Sequence, residues 1–378
     1  MAKKKIILFT NIITPYTIPL LNYINREGNF NFKVIALAEK EKNREWRLNE
    51  KKIEFDYKIL AGLNLFFYGR KREKAIHVNF GVIKLLLSYN PDVVIISGYD
   101  CLAYWQAFLY CKVFKKKCIL WNGTTLLSAG SLKGIKEHLK RFIIKRVDRF
   151  IAYGTKAKEY LEYFGANPKN IYLSINTVDV NYFQNKVKHF KSLPEFLKGK
   201  KRFSKITILY VGQLIKRKGA KQVLEALKIL NDPEISFLII GSGPEEANLK
   251  KFCAENNLKN IFFKGFHQQD ELPKYYALAD IFILPSFEEV WGLVVNEALS
   301  GGLYVLCSKY AGAAYDLINK NNGVIFDPNN IEEMVNYIKE CKVNILSLQS
   351  KREQISNWIV KNFNIERSGR SILSAINF

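Results

Sequence analysis

Two glutamates that stand eight residues apart, Glu289 and Glu297, are the residues whose types and spacing first suggest chemistry. They bracket most of the run EEVWGLVVNEALSGG, residues 288–302, in which almost every intervening side chain is apolar. Helical spacing puts Glu297 on the same side as Leu293 and Val294, which predicts a buried carboxylate. A lone buried carboxylate costs on the order of several kcal/mol unless a partner compensates it. We therefore expect this stretch to bind something polar.

A strand, a loop and a short helix are predicted to position the two carboxylates. The apolar run IFILP ends at Pro285, a helix begins near Gly292, and the pair at 301–302 stops it, as glycine does after helix ends. Glu289 thus precedes the helix, whereas Glu297 lies inside it.

The start of this helix is suited to an anion. The amides of Gly292, Leu293 and Val294 have no acceptor within the helix and can bind a diphosphate. A carboxylate can accept both hydroxyls of a ribose diol, as in dinucleotide-binding folds. The arrangement therefore favours a sugar nucleotide, with a hydroxyl-binding carboxylate on either side of the diphosphate. In the alternative interpretation, Glu289 is merely exposed and Glu297 pairs with a buried lysine.

A basic loop occurs in YVGQLIKRKGAKQVLEAL, where a strand ends at Gly212 and a helix opens at Gly219. Between them lie Lys216, Arg217 and Lys218. Cations beside a helix N-terminus form a phosphate cradle, because side-chain charge and free amides converge there. A solvated basic turn is the alternative.

The run FLIIGSGPEEANL resembles the opening of a dinucleotide fingerprint at Gly241 and Gly243, but Glu246 replaces the third glycine. A carboxylate there would repel a pyrophosphate, so we expect a tight strand-to-helix turn and no hydride-transfer cofactor. Binding of a nucleoside over these two glycines is an alternative that the sequence leaves open.

Apolar strands alternate with amphipathic helices twice along the 378 residues, which predicts two α/β domains with parallel sheets. We expect an N-terminal domain over 1–185, a polar linker over 186–204 and a C-terminal domain over 205–358. A last helix over 359–378 is expected to pack back on the first domain. In such sheets ligands bind at the carboxyl ends of the strands.

The charge of the chain, +23 in total, is concentrated in its first half. Residues 1–200 hold 36 Lys and Arg against 16 Asp and Glu, whereas residues 201–378 hold 22 against 19. This asymmetry predicts an anionic partner for the first half: a membrane surface, a polyanion or a phosphorylated acceptor. A generally lysine-rich proteome is the alternative.

The compartment is expected to be the cytoplasm. The six cysteines show no C-x-x-C pair, so buried reduced thiols are expected, and neither a zinc site nor disulfides. No apolar run approaches the ~20 residues needed to span a bilayer. The N-terminal MAKKKIILFTNIITPY imitates a signal peptide, but it reads better as a first strand.

Two basic stretches of the first half suggest a membrane surface. Residues 130–150 alternate Lys and Arg with apolar residues at helical spacing, and residues 64–74 put aromatics beside a charge cluster. Such a helix can lie on anionic lipid, which would place the protein on the inner face of the membrane. A helix packed on the core with a solvated outer face is the alternative.

Together these motifs resemble a known family. PSFEEVWGLVVNEALSGG resembles the signature of the retaining glycosyltransferases of family 4, within glycosyl transferases group 1. These have the GT-B fold, in which two Rossmann-like domains with parallel sheets face each other across a cleft. VGQLIKRKG, IIGSGPEEANL, the segment from IFFKGF to ILPS and NTVDVNYF also resemble family segments, in the family's order over about 150–330.

The resemblance implies a donor site in the second domain. Glu297 would bind the ribose diol and Glu289 the hydroxyls of the donor sugar, while Lys218, helped by Arg217, would neutralise the leaving diphosphate. The remaining implied donor contacts are Gly292, Leu293 and Val294 for the diphosphate, Phe266 and His267 for the base, and Gly212, Gln213 and Gly243. The family often has arginine where this chain has Gln213.

The first domain departs from the family. A glycine-rich loop after the first strand and a histidine beside the scissile bond are replaced by TNIITPY and LWNGTT. His77 and His138 are expected in helical or loop contexts at the surface. The candidate acceptor-side contacts are Asn11, Thr14, Asn122 and Thr124.

The resemblance implies a metal-independent, retaining hexosyltransferase without a cofactor. Its donor would be a nucleotide-sugar, with UDP favoured as the commonest nucleotide in the family, and its acceptor a glycan or a lipid-linked molecule in cell-surface polysaccharide or glycoconjugate synthesis. The alternatives are a basic protein that binds nucleic acid or another polyanion, although no nucleic-acid recognition motif is present, and a GT-B sugar-nucleotide epimerase.

Overall fold

The computed structural model describes residues 3–41, 45–68, 73–129, 134–200 and 203–378. The chain forms two compact units. The first unit comprises Met1–Asn176 and Ile365–Phe378, and the second unit comprises Thr177–Asn364. Among the described residues, no helix has both the length and the apolar character needed to cross a bilayer.

The first unit is built on a parallel sheet. Its strands are β1 Lys4–Thr10, β2 Phe30–Ala36, β3 Asp56–Ile59, β4 Gly62–Tyr68, β5 Glu73–Asn79, β6 Val93–Ile96, β7 Lys117–Asn122, β8 Arg149–Ala152 and β9 Ile171–Leu173. Within the described residues, seven of them form one sheet in the order β3-β2-β1-β6-β7-β8-β9, and β4 and β5 form an antiparallel hairpin.

Helices cover both faces of this sheet. They are α1 Ile18–Glu27, α2 Val82–Tyr89, α3 Leu102–Val113, α4 Ile135–Ile144 and α5 Thr155–Tyr163. Successive side chains of β1 point to opposite faces, so Ile7 and Phe9 join the core under α2 to α5, whereas Ile6 and Leu8 join the core under α1. Continuous apolar strands are what a sheet covered on both faces requires.

The second unit repeats this architecture. Its strands are β10 Ile206–Val211, β11 Ile235–Ile240, β12 Ile261–Phe263, β13 Ile281–Leu284, β14 Tyr304–Ser308 and β15 Gly323–Phe326. In the part of the unit that the structure describes, these six form a parallel sheet in the order β12-β11-β10-β13-β14-β15. The predicted class, α/β with two Rossmann-like domains built on parallel sheets, is confirmed for each unit.

The helices of the second unit begin before its first strand. They are α6 Val180–Ser192, α7 Pro194–Lys200, α8 Ala220–Leu230, α9 Glu246–Glu255, α10 Leu272–Leu278, α11 Leu293–Ser300, α12 Ala314–Leu317, α13 Ile331–Val343, α14 Ile345–Ser350 and α15 Arg352–Asn362. The predicted linker over 186–204 is therefore largely helical, and the unit boundary lies at residue 176 instead of 185. Asp179 caps α6 by accepting from the amide of Tyr182 at 2.9 Å, and Val187 of that helix is buried.

The chain returns to the first unit with its last helix, α16 Ile365–Ile376. Ile372 of α16 is buried in the core under α1, and the hydroxyl of Ser368 donates to the carbonyl of Ile175 at 2.6 Å. The expected return began at residue 359, but α15 up to Asn362 stays with the second unit.

Several elements differ from the sequence prediction. The short strands β3, β9 and β15 and the β4–β5 hairpin were missed because each is short or partly polar. The expected surface position of His77 is wrong. His77 lies on β5 and is buried, with its ring 2.7 Å from Oδ1 of Asn64. His138 is exposed on α4, as expected, and the six cysteines are buried free thiols, as predicted.

The two basic stretches are only partly described. The expected helix over 130–150 is observed as α4, and residues 130–133 lie outside the described residues. The expected aromatic and basic stretch over 64–74 falls on the hairpin, and residues 69–72 lie outside the described residues.

Candidate active site

The loops after β10 and β13 lie side by side at the carboxyl edge of the second sheet. Strand β10 pairs with β11 on one side and with β13 on the other, so the strand order reverses between β10 and β13. In open α/β sheets, ligands bind in the crevice at such a reversal. The basic loop and the glutamate-rich loop of the sequence analysis are these two loops.

Lys218 and Glu289 meet across this crevice. The ammonium Nζ of Lys218 forms an ion pair and hydrogen bond with Oε2 of Glu289, although 71 residues separate them in the chain. Each side chain is only 15% exposed, so the pair is sheltered from solvent. The alternative interpretation, in which a lysine pairs with Glu297 and Glu289 is merely exposed, is wrong.

The backbone of the two loops is also joined. The amide of Phe287 donates to the carbonyl of Arg217 at 2.8 Å, and Nη1 of Arg217 donates to the carbonyl of Glu288 at 3.3 Å. Gly219 ends the 3-10 turn Lys216–Lys218 with φ of 73°, and a Cβ there would lie 2.0 Å from the carbonyl oxygen of Pro285. Only glycine allows this close approach, which brings the basic turn against the end of β13.

A third loop supports Glu289 from the other side. The amide of Glu289 donates to the carbonyl of Tyr310 at 3.3 Å, and the amide of Gly312 donates to the carbonyl of Glu289 at 3.3 Å. This loop follows β14, the next strand in the sheet. Sequence reasoning missed it because its residues SKYAGAA carry no motif, and only strand order brings it beside Glu289.

Glu297 lies fully buried inside α11, as its helical spacing predicts. The hydroxyl of Tyr276 donates to its Oε2 at 2.6 Å, whereas Oε1 has no hydrogen-bond partner among the described residues. Burial raises the pKa of Glu297 to about 8, and the hydrogen bond from Tyr276 lowers it in part. The unpartnered oxygen is one that a ligand hydroxyl could satisfy.

The helix that carries Glu297 presents its first turn to the same edge. Gly292 is the N-cap of α11, and Leu293 and Val294 are partly exposed. The first amides of a helix have no acceptor within it and carry partial positive charge. These three predicted diphosphate contacts therefore lie next to Glu289.

The remaining predicted donor contacts lie further along the same edge, after β10, β11 and β12. Gly212 follows β10, and the carbonyl of Gln213 accepts from the Tyr210 hydroxyl at 2.8 Å. A Cβ on Gly243 would lie 2.4 Å from the carbonyl oxygen of Leu214, so this glycine lets the second loop pack on the first.

The imidazole of His267 is held within its own loop. Its Nε2 lies 2.5 Å from the Tyr275 hydroxyl and its Nδ1 lies 3.2 Å from Glu271. The amide of Gln268, and to a lesser degree His267, hold the pKa of Glu271 below its usual range. Phe266, beside it, is 36% exposed.

The four predicted acceptor-side residues lie at the carboxyl edge of the first sheet, and each forms a hydrogen bond with another residue of the first unit. Oδ1 of Asn11 accepts from the Tyr104 hydroxyl at 2.5 Å, and the hydroxyls of Thr14 and Thr17 lie 3.2 Å apart. Asn122 is almost fully buried, and its amide donates to the carbonyl of Thr124 at 3.0 Å. Strand β6 separates the strands that precede the two groups.

A group of tyrosines at this edge was missed by the sequence analysis. The hydroxyls of Tyr99, after β6, and Tyr160, on α5, form a hydrogen bond. Burial raises the pKa of Tyr99 above its usual value. The sequence carried no signal for this pair, because the two residues lie 61 positions apart on different elements.

Comparison with known proteins finds a match within the second unit. Residues 195–358 match the family model described as glycosyl transferases group 1. This stretch contains both loops of the crevice, the ion pair and α11. Most of the second unit is therefore similar to the glycosyl transferases group 1.

Relatives of the chain include the sulfoquinovosyl transferase SQD2 of Arabidopsis thaliana. It is 35% identical over 138 residues, which are 35% of this chain and 26% of the relative. The UDP-Gal:alpha-D-GlcNAc-diphosphoundecaprenol alpha-1,3-galactosyltransferase of Escherichia coli is 28% identical over 243 residues, or 62% of this chain and 61% of the relative. The chain thus spans less than two thirds of the length of each.

Solved structures extend the likeness in fold to the whole chain. Alr3699/HepE of Anabaena, solved in complex with UDP and glucose, matches with a TM-score of 0.73 and 16% identity over 99% of both chains. The fold of the chain is therefore that of the GT-B glycosyltransferases.

Proposed function

We propose that the protein is a retaining hexosyltransferase that moves a sugar from a UDP-sugar to a glycan or a lipid-linked acceptor. The acceptor would belong to cell-surface polysaccharide or glycoconjugate synthesis. The observation that carries the proposal is the sheltered pair of Lys218 and Glu289 at the reversal of strand order. A cation and a hydroxyl-binding carboxylate at one point suit a substrate in which a diphosphate adjoins a sugar.

The donor nucleotide is proposed to lie along the carboxyl edge from β12 to β13. Its base would contact the backbone at Phe266 and His267, and Gly212, Gln213 and Gly243 would line the path to the diphosphate. The ribose diol would reach the unpartnered oxygen of Glu297. UDP is favoured because the E. coli relative is named for UDP-Gal and the Anabaena structure contains UDP.

The charges of the pair are proposed to separate when the donor binds. A diphosphate at the first turn of α11 would draw the Nζ of Lys218 toward itself and release Glu289 to accept from the sugar hydroxyls. Arg217 lies beside Lys218 and would add its charge. The ion pair with Glu289 holds the ammonium of Lys218 at this edge of the sheet, close to where the diphosphate would bind.

Transfer is proposed to occur on one face of the sugar. The bond from the anomeric carbon to the diphosphate oxygen breaks, and a bond from that carbon to the acceptor oxygen forms on the same face. The acceptor proton passes to the leaving diphosphate. Catalysis then consists of positioning and of stabilising leaving-group charge, which Lys218, Arg217 and the start of α11 supply.

Because these groups supply positive charge to the diphosphate, no metal ion and no cofactor are invoked for the step. Asn11, Thr14, Asn122 and Thr124 are proposed to contact the acceptor from the first unit. The basic first half of the chain is proposed to bring the protein to an anionic membrane from the cytoplasm, where a lipid-linked acceptor would be available.

Release of nucleoside diphosphate from UDP-, GDP- and ADP-sugars, with membrane extract as acceptor, tests the proposal. We expect UDP release from at least one UDP-sugar, unchanged by EDTA, and an α-configured product from an α-configured donor by NMR. Lys221→Ala serves as the matched control for Lys218→Ala, since Lys221 lies on the outer side of α8 in a surface ion pair with Glu225. Turnover of none of the donors, or equal loss in both variants, would overturn the proposal.

A further inference from the structure

The outer surface of the helices α2, α3 and α4 in the first unit is unusually apolar. These helices pack on the same face of the first sheet, where Leu86, Phe108 and Ile143 belong to one continuous core. Side chains on the far side of each helix therefore point away from the sheet. In a soluble domain this far side is normally polar.

Helix α3 carries the clearest apolar stripe. Leu102, Leu109 and Val113 are exposed, Val113 by 72%. Their spacing of seven and four residues puts them on one line along the helix. Tyr104, Phe108 and the other buried residues of α3 occupy the opposite side. The helix thus presents apolar side chains to solvent as well as to the core.

Both neighbouring helices also carry exposed apolar side chains. On α4, the residues Ile135, Leu139 and Phe142 are exposed at spacings of four and three, Ile135 by 80%. The ring of Phe142 lies 6.3 Å from that of the buried Phe108, so α4 packs beside α3. On α2, which contacts α3, Ile83 and Leu87 are exposed one helical turn apart.

Cations lie beside these side chains. The guanidinium of Arg146 lies 4.0 Å from the ring centroid of Phe142, and Lys115 is exposed just beyond the end of α3. Lys112, at the end of α3, is exposed and pairs with Asp148 at 3.7 Å. Glu137 is the sole acidic residue in the sequences of α2, α3 and α4, and its carboxylate is paired with Arg141 at 3.0 Å. The surface therefore combines apolar area with positive charge.

We propose that this surface docks the protein on an anionic lipid bilayer. We call it the apolar face, defined as Ile83, Leu87, Leu102, Leu109, Val113, Ile135, Leu139 and Phe142. The apolar side chains would enter the headgroup boundary while the cations meet lipid phosphates, the combination by which interfacial helices bind. The inference deepens the proposed function by assigning the membrane contact to particular side chains.

A bilayer is favoured over a protein partner by the charge pattern. The cations and the lack of unpaired acidic residues on the three helices complement a surface of one sign, whereas a second copy of the same face would bring like charges together. The second unit carries two residues as exposed as these, Val343 by 83% and Leu346 by 79%, which provide a matched control.

Vesicle flotation tests the proposal with the purified full-length protein. The vesicles are phosphatidylcholine alone or an equal mixture with phosphatidylglycerol. We expect binding to the mixed vesicles, lowered about tenfold or more by the double variant Leu109→Glu and Val113→Glu. The control, Val343→Glu with Leu346→Glu, is expected to bind as the unmodified protein does. Circular dichroism is expected to be unchanged, since the replaced side chains are exposed.

Three outcomes would overturn the proposal: no binding of the unmodified protein to either vesicle, equal loss of binding in both double variants, or a dimer in light scattering that the Leu109→Glu and Val113→Glu variant abolishes. Failure of the proposed function is separate. If the protein binds vesicles as expected but releases nucleoside diphosphate from no donor, the docking surface stands and the proposed glycosyl transfer fails.

Discussion

The hydroxyl of Tyr276 donates a hydrogen bond of 2.6 Å to Oε2 of Glu297, and both side chains are fully buried. Tyr276 lies on α10, the helix before β13, and Glu297 lies on α11, the helix after it. Because Oε1 of Glu297 has no hydrogen-bond partner among the described residues, only one oxygen of the carboxyl group is satisfied. This incomplete pairing leads to the first two predictions.

Replacing Glu297 by Gln is expected to make stability less dependent on pH. The folded protein keeps a proton on Glu297 up to its pKa of about 8, whereas the unfolded chain releases it at the usual value of 4.5. The unfolded state therefore binds fewer protons between these values, and the stability of the unmodified protein falls as pH rises from about 4.5 to about 8. The loss is on the order of 3–5 kcal/mol.

Urea unfolding at pH 5.5 and at pH 8.5 checks this prediction. The difference in urea midpoint between Glu297→Gln and the unmodified protein is expected to shift in favour of the variant as pH rises. The reason is that the amide of Gln does not titrate, whereas the carboxyl group of Glu297 does. A constant difference at the two pH values would contradict it. The proposed ribose contact has its own test, because unchanged donor affinity in Glu297→Ala would show that assignment to be wrong.

Replacing Tyr276 by Phe is expected to shift the pH dependence of donor binding. The hydrogen bond from Tyr276 lowers the pKa of Glu297, so its removal raises that pKa further. If the ionised carboxylate binds the ribose, KM for the donor at pH 7 should rise by about threefold to tenfold and recover toward pH 9. Steady-state kinetics across this range measure the shift. Tyr337→Phe, on α13, is the control and should leave the profile in place, whereas a shift in both variants would contradict the prediction.

Removing either member of the Lys218–Glu289 pair is expected to abolish most turnover. Lys218→Ala and Glu289→Gln should each lower kcat by about a hundredfold to a thousandfold, because each removes a group proposed to act on the transition state. Unfolding should show a smaller loss of about 1–3 kcal/mol, since the remaining charge is left without its partner in a sheltered position.

The double variant sharpens this test. Because the two side chains contact each other, their effects on stability should not add, and the double variant should be less destabilised than the sum of the single ones. Denaturant midpoints with CD signals at native values establish that the fold survives. Near-normal kcat in both single variants would refute their proposed roles.

Replacing Gly219 by Ala is expected to displace the basic turn. The new Cβ would lie 2.0 Å from the carbonyl oxygen of Pro285, so the turn or the end of β13 must move. Gly81 has nearly the same φ, 77° against 73°, but a Cβ there meets nothing within 4 Å. Gly81→Ala therefore measures backbone strain alone, expected to cost about 1 kcal/mol.

Thermal unfolding and kcat/KM together separate the two effects. Gly219→Ala should lose more stability than Gly81→Ala and at least about tenfold in kcat/KM, because a displacement near 1 Å is costly in a site that works by positioning. Gly81→Ala should keep its activity. Equal behaviour of the two variants would show that the contact with Pro285 does not position the site.

The local features of the fold were predictable because short segments encode them. Continuous apolar runs mark the strands β1, β6, β10, β11 and β13, and the spacing of residues 289 to 297 places Glu289 before α11 and Glu297 inside it. The short strands and the hairpin were missed because their patterns are brief and mixed. The predicted boundary between the two domains was wrong for another reason. The stretch that forms α6 and α7 is polar and lysine-rich, like a linker, but it belongs to the second unit in the structure.

Periodicity within about 20 residues is enough to predict two α/β domains, the charged loops and the burial of Glu297 from the sequence. Which residues meet depends instead on the order of the strands and the packing of the helices. The order β12-β11-β10-β13 brings Lys218 to Glu289, and the packing of α10 against the second sheet brings Tyr276 to Glu297. Likewise α3 carries apolar side chains on both its buried and its exposed sides, and only its packing on the sheet decides which of them face solvent.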